Sequence, residues 1–276
     1  MTRNTGHGTD SRREKTPLAA KIFLGIVSAY LLVPFVAVLV YSLFVEWTGI
    51  LPTKFTLRNY ERLFSNAAFW ESLGRTLLLC TASVAVTVVV LLLAVYIIVA
   101  VNRKLAGAMQ MLCMIPYALQ GVILSIGIIS LYTGTGTLLS NRIVMLFGAY
   151  SILVLPYIYQ GIRNSLDAID AQRLIEAAQM LGCTRFGAYV RVVIPNMLSG
   201  ILVSALLAES IVFGDFVLAN NIAGTSYQNI QVFLNQSMDK SSGLASATVV
   251  VIFLVVMVIT GIVLKLQAAP RSHKES

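Results

Sequence analysis

The sequence predicts an all-α membrane protein with six transmembrane helices, and three observations carry that prediction. Of its 276 residues, 57% are hydrophobic and 12% charged, about half the charged fraction of a soluble domain. Mean hydropathy is +0.82. Apolar runs of roughly 20 residues, the length that crosses a ~30 Å hydrocarbon core as a helix, recur along the chain with few long polar segments between them.

Residues 1–17 are polar and basic and read as a disordered cytoplasmic tail. The apolar run from Leu18 to about Val45 is too long for a signal-peptide core and no clear cleavage site follows it. It reads as a retained first span. The second span is expected from about Leu73 to Val101, the third from Met109 to Leu131, and the fourth from Ile143 to Tyr159. The fifth is expected from Met197 to Ala219 and the sixth from Leu244 to Leu266, leaving a cytoplasmic tail over 267–276.

Six spans put both termini on one side. If that side is the cytoplasm, only Lys54, Arg58, Arg62, Arg75, Arg142 and Lys240 of the 20 basic residues fall outside or at outer helix ends. The positive-inside rule therefore favours cytoplasmic termini. The same distribution accounts for the net charge of +8 without a nucleic-acid partner. Cys80, Cys113 and Cys183 are too dispersed for a disulfide framework or a metal pair. His7 and His273 both lie in polar tails, which leaves no histidine-based catalytic or metal centre.

Pro34, Pro116 and Pro156 fall within spans. Each removes a backbone donor, which a membrane helix tolerates where neighbours or a cavity re-satisfy the backbone. A pore-facing bend and a simple packing kink are both open. Gly121, Gly127, Gly200 and Gly214 are small residues that permit close helix approach.

The connection between the fourth and fifth spans is long beside the loop Asn102–Ala108. Asp170 is an expected N-cap. Leu174, Ala177, Ala178 and Leu181 follow at i, i+3, i+4 and i+7, one apolar helix face outside the membrane. Gly182 is suited to ending that helix in the left-handed conformation. A second short helix is expected over Thr184–Val192, broken at Pro195. The apolar face suits a groove on a partner or the protein's own helix ends, and periodicity does not choose between them.

Within this loop Glu176, Ala177, Ala178, Gly182, Val192, Ile194 and Pro195 stand at a spacing that resembles the EAA loop of permeases from binding-protein-dependent ABC importers of the type I kind. Leu166 and Asp170 fit the lead-in. The resemblance covers roughly residues 70–266, with the first span as the variable extra helix. It implies a type I importer permease fold in a bacterial inner membrane, with a cytoplasmic coupling helix between spans four and five. It further implies a cytoplasmic ABC ATPase dimer as partner, a second permease subunit, and an extracytoplasmic substrate-binding protein. By the same resemblance Glu176 and Ala177 contact the ATPase, Gly182 permits the turn, and ATP is bound and hydrolysed by the partner, so that this chain is not an enzyme and holds no cofactor. The sequence Asn196-Met197-Leu198-Ser199-Gly200 departs from the pattern, since many members carry another proline before the glycine.

Glu209 and Asp215 are placed in the fifth span. Carboxylates inside a bilayer are costly and are functional candidates by default. They either line the translocation path or make a structural pair with an arginine or a hydroxyl. The stretch Glu209–Phe216 is similar to permeases for polyamines, iron and phosphonates. A polyamine suits acidic lining residues; phosphonate, iron or another anion is the alternative. The outer loops are expected over 46–71, 132–142 and 220–243. There Trp47 and Trp70 read as interface anchors, and Tyr227 and Asn229 are open. A secondary transporter and an intramembrane enzyme are the competing classes. Repeats and broken half-helices are the mark of the former and a catalytic constellation of the latter; neither is evident. No Gly-x4-Gly-Lys-Ser/Thr phosphate loop occurs in the chain.

Overall fold

A computed structural model describes residues 18–44, 55–100, 104–119, 121–134 and 136–268. The terminal tail expected over 1–17, residues 269–276 of the tail expected over 267–276, and Trp47 lie outside the described residues, while α11 takes in the first two residues of that second tail. Long apolar runs with few turn-forming residues wind into helices whose backbone bonds are satisfied within the segment, as a bilayer demands. Among the described residues there is no β-strand, and an isolated bridge pairs Phe44 with Phe55.

The helices are α1 (Leu18–Ser42), α2 (Arg58–Phe64), α3 (Ala67–Ala100), α4 (Leu105–Ala118), α5 (Gly121–Tyr132), α6 (Arg142–Ala168), α7 (Ala171–Met180), α8 (Arg185–Ala188), α9 (Ile194–Phe213), α10 (Ile230–Met238) and α11 (Ser242–Ala268). Five helical stretches are long and apolar enough to cross a membrane, and α4 with α5 makes a sixth if that bent pair is one span. The third span is therefore not the single helix expected over Met109–Leu131. Its halves meet at 103°. Pro116 sits near the end of α4, the Leu119 N–H turns back to the Pro116 carbonyl, and Gly121 opens α5 with φ +44°, a conformation glycine adopts without strain.

At the centre α6 and α9 run against each other, each also packing on α3. Their crossing uses small residues at i and i+4 on both helices. Gly161 faces Ser204 and Gly200 faces Ser165, and a methyl group at either glycine would overlap the opposing serine. The Ser165 hydroxyl donates to the Gly161 carbonyl at 2.8 Å. Close approach through small residues is how membrane helices gain contact where burial of apolar surface gives little drive. On the flank, α1 lies along α11 with Phe35 and Phe253 ring centroids 5.1 Å apart. Asn59 of α2 closes that flank by donating to the carbonyls of Ser42 and Phe44, both at 3.0 Å.

Two further expectations change. The fourth span does not stop near Tyr159 but continues as α6 to Ala168, which shortens the connection to α9. The 220–243 segment is not an open loop. After α9 ends at Phe213 the chain makes a π turn Ala219–Ala223, a 3-10 turn Gly224–Tyr227 and the helix α10. Some of its polar groups are bonded within the fold. Asn229 accepts from the Val232 N–H at 2.8 Å as N-cap of α10 and donates to the Tyr150 hydroxyl at 3.5 Å and the Asp215 carbonyl at 3.4 Å. The Ile230 N–H donates to Thr76 of α3 at 2.8 Å.

Candidate functional site

The first candidate site is the segment from Asp170 to Pro195, which projects beyond the central α6–α9 pair. Asp170 does not cap α7. It takes the left-handed conformation, φ 43°, and its carboxylate reaches Arg173 at 3.0 Å instead of a first-turn N–H. Its position is the residue past the C-cap of α6, where a left-handed residue ends a helix, and aspartate is one of the few non-glycine residues that accept it. At the other end of α7 the prediction for Gly182 matches the geometry. Its φ is +85°, its N–H donates to the Gln179 carbonyl at 2.9 Å, and the Cys183 N–H donates to the Ala178 carbonyl at 3.1 Å. These two bonds are the Schellman pair that satisfies the last carbonyls of a helix.

The face that α7 buries is centred one residue away from the expected stripe. Ala171, Ile175 and Ala178 are buried and Leu174 packs against the same core. Ala177 and Glu176 are exposed. Because α7 ends at Met180, Leu181 lies past the last turn and points outward. Met180 is 90% exposed and Leu181 87%. Thus α7 packs on its own protein through one face and leaves a separate apolar tip open, with Phe186 of α8 half-exposed nearby.

No break follows α8. The helix continues from Arg185 to Phe213, passing through a π turn at Tyr189–Val193 in which the Ile194 N–H bonds to the Tyr189 carbonyl. Pro195 does not terminate a helix here, contrary to the expectation, but enters the first turn of α9. The wider π turn precedes it, where an α-helical proline would strike the carbonyl four residues back. Tyr189, which carries no signal in the local sequence, ties this junction to the body. It is buried, its hydroxyl donates to the Leu92 carbonyl at 2.9 Å, and its ring lies 5.2 Å from that of Tyr96. Phe186 packs on Tyr96 at 5.3 Å. Local pattern does not mark this aromatic group, because its members come from two helices some 90 residues apart.

The second candidate site contains the two carboxylates. Glu209 is half-buried on α9 and accepts a 2.8 Å hydrogen bond from the Thr81 hydroxyl of α3. It is the ionisable residue on the wall of an apolar groove of about 730 Å³ between α3, α9 and α11. Asp215 lies beyond the end of the fifth span, not within it. Its carboxylate accepts from the backbone N–H groups of Leu218 at 3.0 Å and Ala219 at 3.3 Å, capping the turn that re-enters the fold. The two carboxylates serve different partners. Tyr227 donates to the Arg75 carbonyl at 3.3 Å while the Arg75 guanidinium lies 5.2 Å from the centre of its ring. Trp70 stacks on Phe64 at 5.9 Å and donates to its carbonyl. Among the described residues no group of His, Cys, Asp and Glu could hold a metal ion.

Several apolar spans around a tight central helix pair, with a capped helical connection between α6 and α9, define a multi-pass membrane protein. Residues 91–271 match the family described as the binding-protein-dependent transport system inner membrane component, and the chain belongs to that family. The chain is similar to a "Probable ABC transporter permease protein" of Sinorhizobium fredii, 27% identical over 171 residues, which are 58% of this chain and 30% of that protein. It is similar to the spermidine/putrescine transport system permease protein of Haemophilus influenzae, 22% identical over 206 residues, 75% of this chain and 79% of that protein. It is also similar to the sulfoquinovosyl glycerol transport system permease protein of Agrobacterium fabrum, 27% identical over 164 residues, 59% of this chain and 56% of that protein. The chain therefore spans less than two thirds of the first and third of these relatives.

Proposed function

We propose that the chain is the permease subunit of an ATP-driven importer, that it forms half of a translocation path with a second permease subunit, and that α7 with the Gly182 turn docks into a separate cytoplasmic ATPase. The exposed tip Met180–Leu181 carries this reading. Two large apolar side chains are held outside the fold at the end of a helix whose opposite face is anchored, and such a tip suits insertion into a partner groove. On this reading both termini are cytoplasmic, and the segments at the opposite end meet a substrate-binding protein.

The test is Gly182→Asp. The left-handed turn is strained by a side chain there, and a carboxylate is placed beside Leu181. Pull-down of the partner ATPase should be lost while membrane insertion is kept. Unchanged pull-down removes α7 as the docking element.

For the substrate we propose a polyamine or similar small cation. The relatives' names span a polyamine and a glycosyl glycerol, so family membership alone does not choose. The support is electrostatic: from Ile194 to Asn229 the chain carries Glu209 and Asp215 and no lysine or arginine. A path of that sign attracts cations and repels phosphonates and other anions.

A further inference from the structure

A cavity of about 380 Å³ opens behind α7, walled by the ends of α3 and α6 and the starts of α4 and α7. Its polar wall is Tyr159, Arg163, Asp167, Asp170 and Gln172. Beside it, between α3 and α4, runs a groove of about 280 Å³ with a purely apolar lining that includes Ile97, Leu105, Ala108, Met109 and Leu112. Ile98 lines both, so the polar cavity and the apolar groove adjoin. A compact polar chamber at the end of the spans with an apolar groove beside it offers the two environments that an amphiphile needs.

The charges narrow the class. Arg163 donates to Gln110 and lies 3.9 Å from Asp167. Asp170 is held by Arg173 at 3.0 Å. Arg163, Asp167 and Asp170 line the chamber, and with Asp170 offset by Arg173 one guanidinium and one carboxylate, that of Asp167, are left to a ligand among the described residues. A guanidinium keeps several N–H donors and suits a phosphate, while a carboxylate takes an ammonium. An anionic headgroup would set its phosphate against Arg163 but leave Asp167 facing a second negative or neutral group.

We propose that this site binds a zwitterionic, amine-bearing phospholipid, with its phosphodiester on Arg163, its ammonium on Asp167, and one acyl chain along Ile98, Ala108 and Leu112. The lipid fills the space between α7 and the spans. The site is independent of the ATPase assignment, and its test reads this chain alone.

The experiment is native mass spectrometry of the purified full-length chain in detergent, titrated with palmitoyl-oleoyl phosphatidylethanolamine, the matching phosphatidylglycerol, and chain-free glycerophosphoethanolamine. The ethanolamine lipid should bind about tenfold more tightly than the glycerol lipid, and glycerophosphoethanolamine should not compete. Arg163→Gln and Asp167→Asn should each weaken binding about tenfold, the loss expected for one charge-assisted contact. Ala108→Trp should block the acyl groove without touching either charge. Leu93→Trp, on an exposed part of α3 outside both cavities, should leave binding unchanged. Equal or stronger binding of phosphatidylglycerol, retention undiminished by the charge variants, effective competition by glycerophosphoethanolamine, or no retained lipid at all each overturns the proposal. The lipid preference of the unmodified chain decides the matter even if a variant fails to fold.

Discussion

Replacing Gly161 by alanine tests the central helix crossing most sharply. The new Cβ would stand 2.2 Å from Ser204 Cβ, where two such carbons rest at roughly 3.5–4.0 Å. Both atoms are fixed to helical backbones, so no rotamer relieves the overlap and α6 must move away from α9. Overpacking of this kind costs about 1–3 kcal/mol, and a shortfall well over an ångström places Gly161→Ala at the upper end. Gly200→Ala is the internal control. Its Cβ would meet the Ser165 hydroxyl oxygen at 1.9 Å but Ser165 Cβ at 3.1 Å. The hydroxyl can rotate away, giving up its bond to the Gly161 carbonyl, a loss of about 1 kcal/mol. Ser204→Gly should restore room for the methyl group that Gly161→Ala introduces and recover most of the penalty, though glycine within a helix itself costs up to about 1 kcal/mol. The assay is reversible unfolding in mixed micelles, with Gly161→Ala, Ser204→Gly and their combination compared with the unmodified chain as a double-mutant cycle. If the two alanine variants cost the same, or if Ser204→Gly fails to rescue Gly161→Ala, the crossing is not as described.

Three further outcomes are expected. Asn229→Ala removes the α10 cap and leaves the Tyr150 hydroxyl and Asp215 carbonyl without their amide donor; it should cost about 2–3 kcal/mol by the same unfolding assay. Asp170→Gly should be neutral or stabilising by up to about 1 kcal/mol, because relief of the left-handed strain exceeds the loss of an exposed ion pair with Arg173. On the cation reading, Glu209→Gln should lower polyamine uptake in reconstituted vesicles about tenfold with ATPase association intact, and Asp215→Asn should lower it too; unchanged kinetics for both remove the acidic path.

The spans were legible because hydrophobic runs of the right length have one solution in a bilayer, and Gly182 was legible because a left-handed helix terminus selects glycine. What was not legible depended on who packs against whom. Leu181 belongs to the apolar stripe by spacing, yet the Schellman turn releases it from the helix. Asp170 has the composition of an N-cap but the conformation of the residue that ends α6. The bend after Pro116 was signalled, but a proline alone does not say whether a helix kinks or turns through 103°. The helices after Phe213 were hidden by Asn, Gly, Thr and Ser, which read as loop, although Asp215 and Asn229 were available as capping signals. Glu209 needed the partner helix before Thr81 could be named.

The π turn at Tyr189–Val193 has a consequence for how the projecting segment is aimed. It holds one residue more than an α-helical turn would and takes that residue up within the one turn, so that α9 and everything before it stay in phase. Deleting one residue there would let the helix relax to the ordinary repeat. Deleting one residue from the regular part of α9 instead, where no wide turn takes up the change, would swing α7 and α8 by about 100° around the α9 axis and draw them about 1.5 Å along it. The Tyr189 bond to Leu92 would be lost and the Met180–Leu181 tip would face a different quarter. The register of α9, more than the composition of the loop before it, works as the compass bearing of the tip.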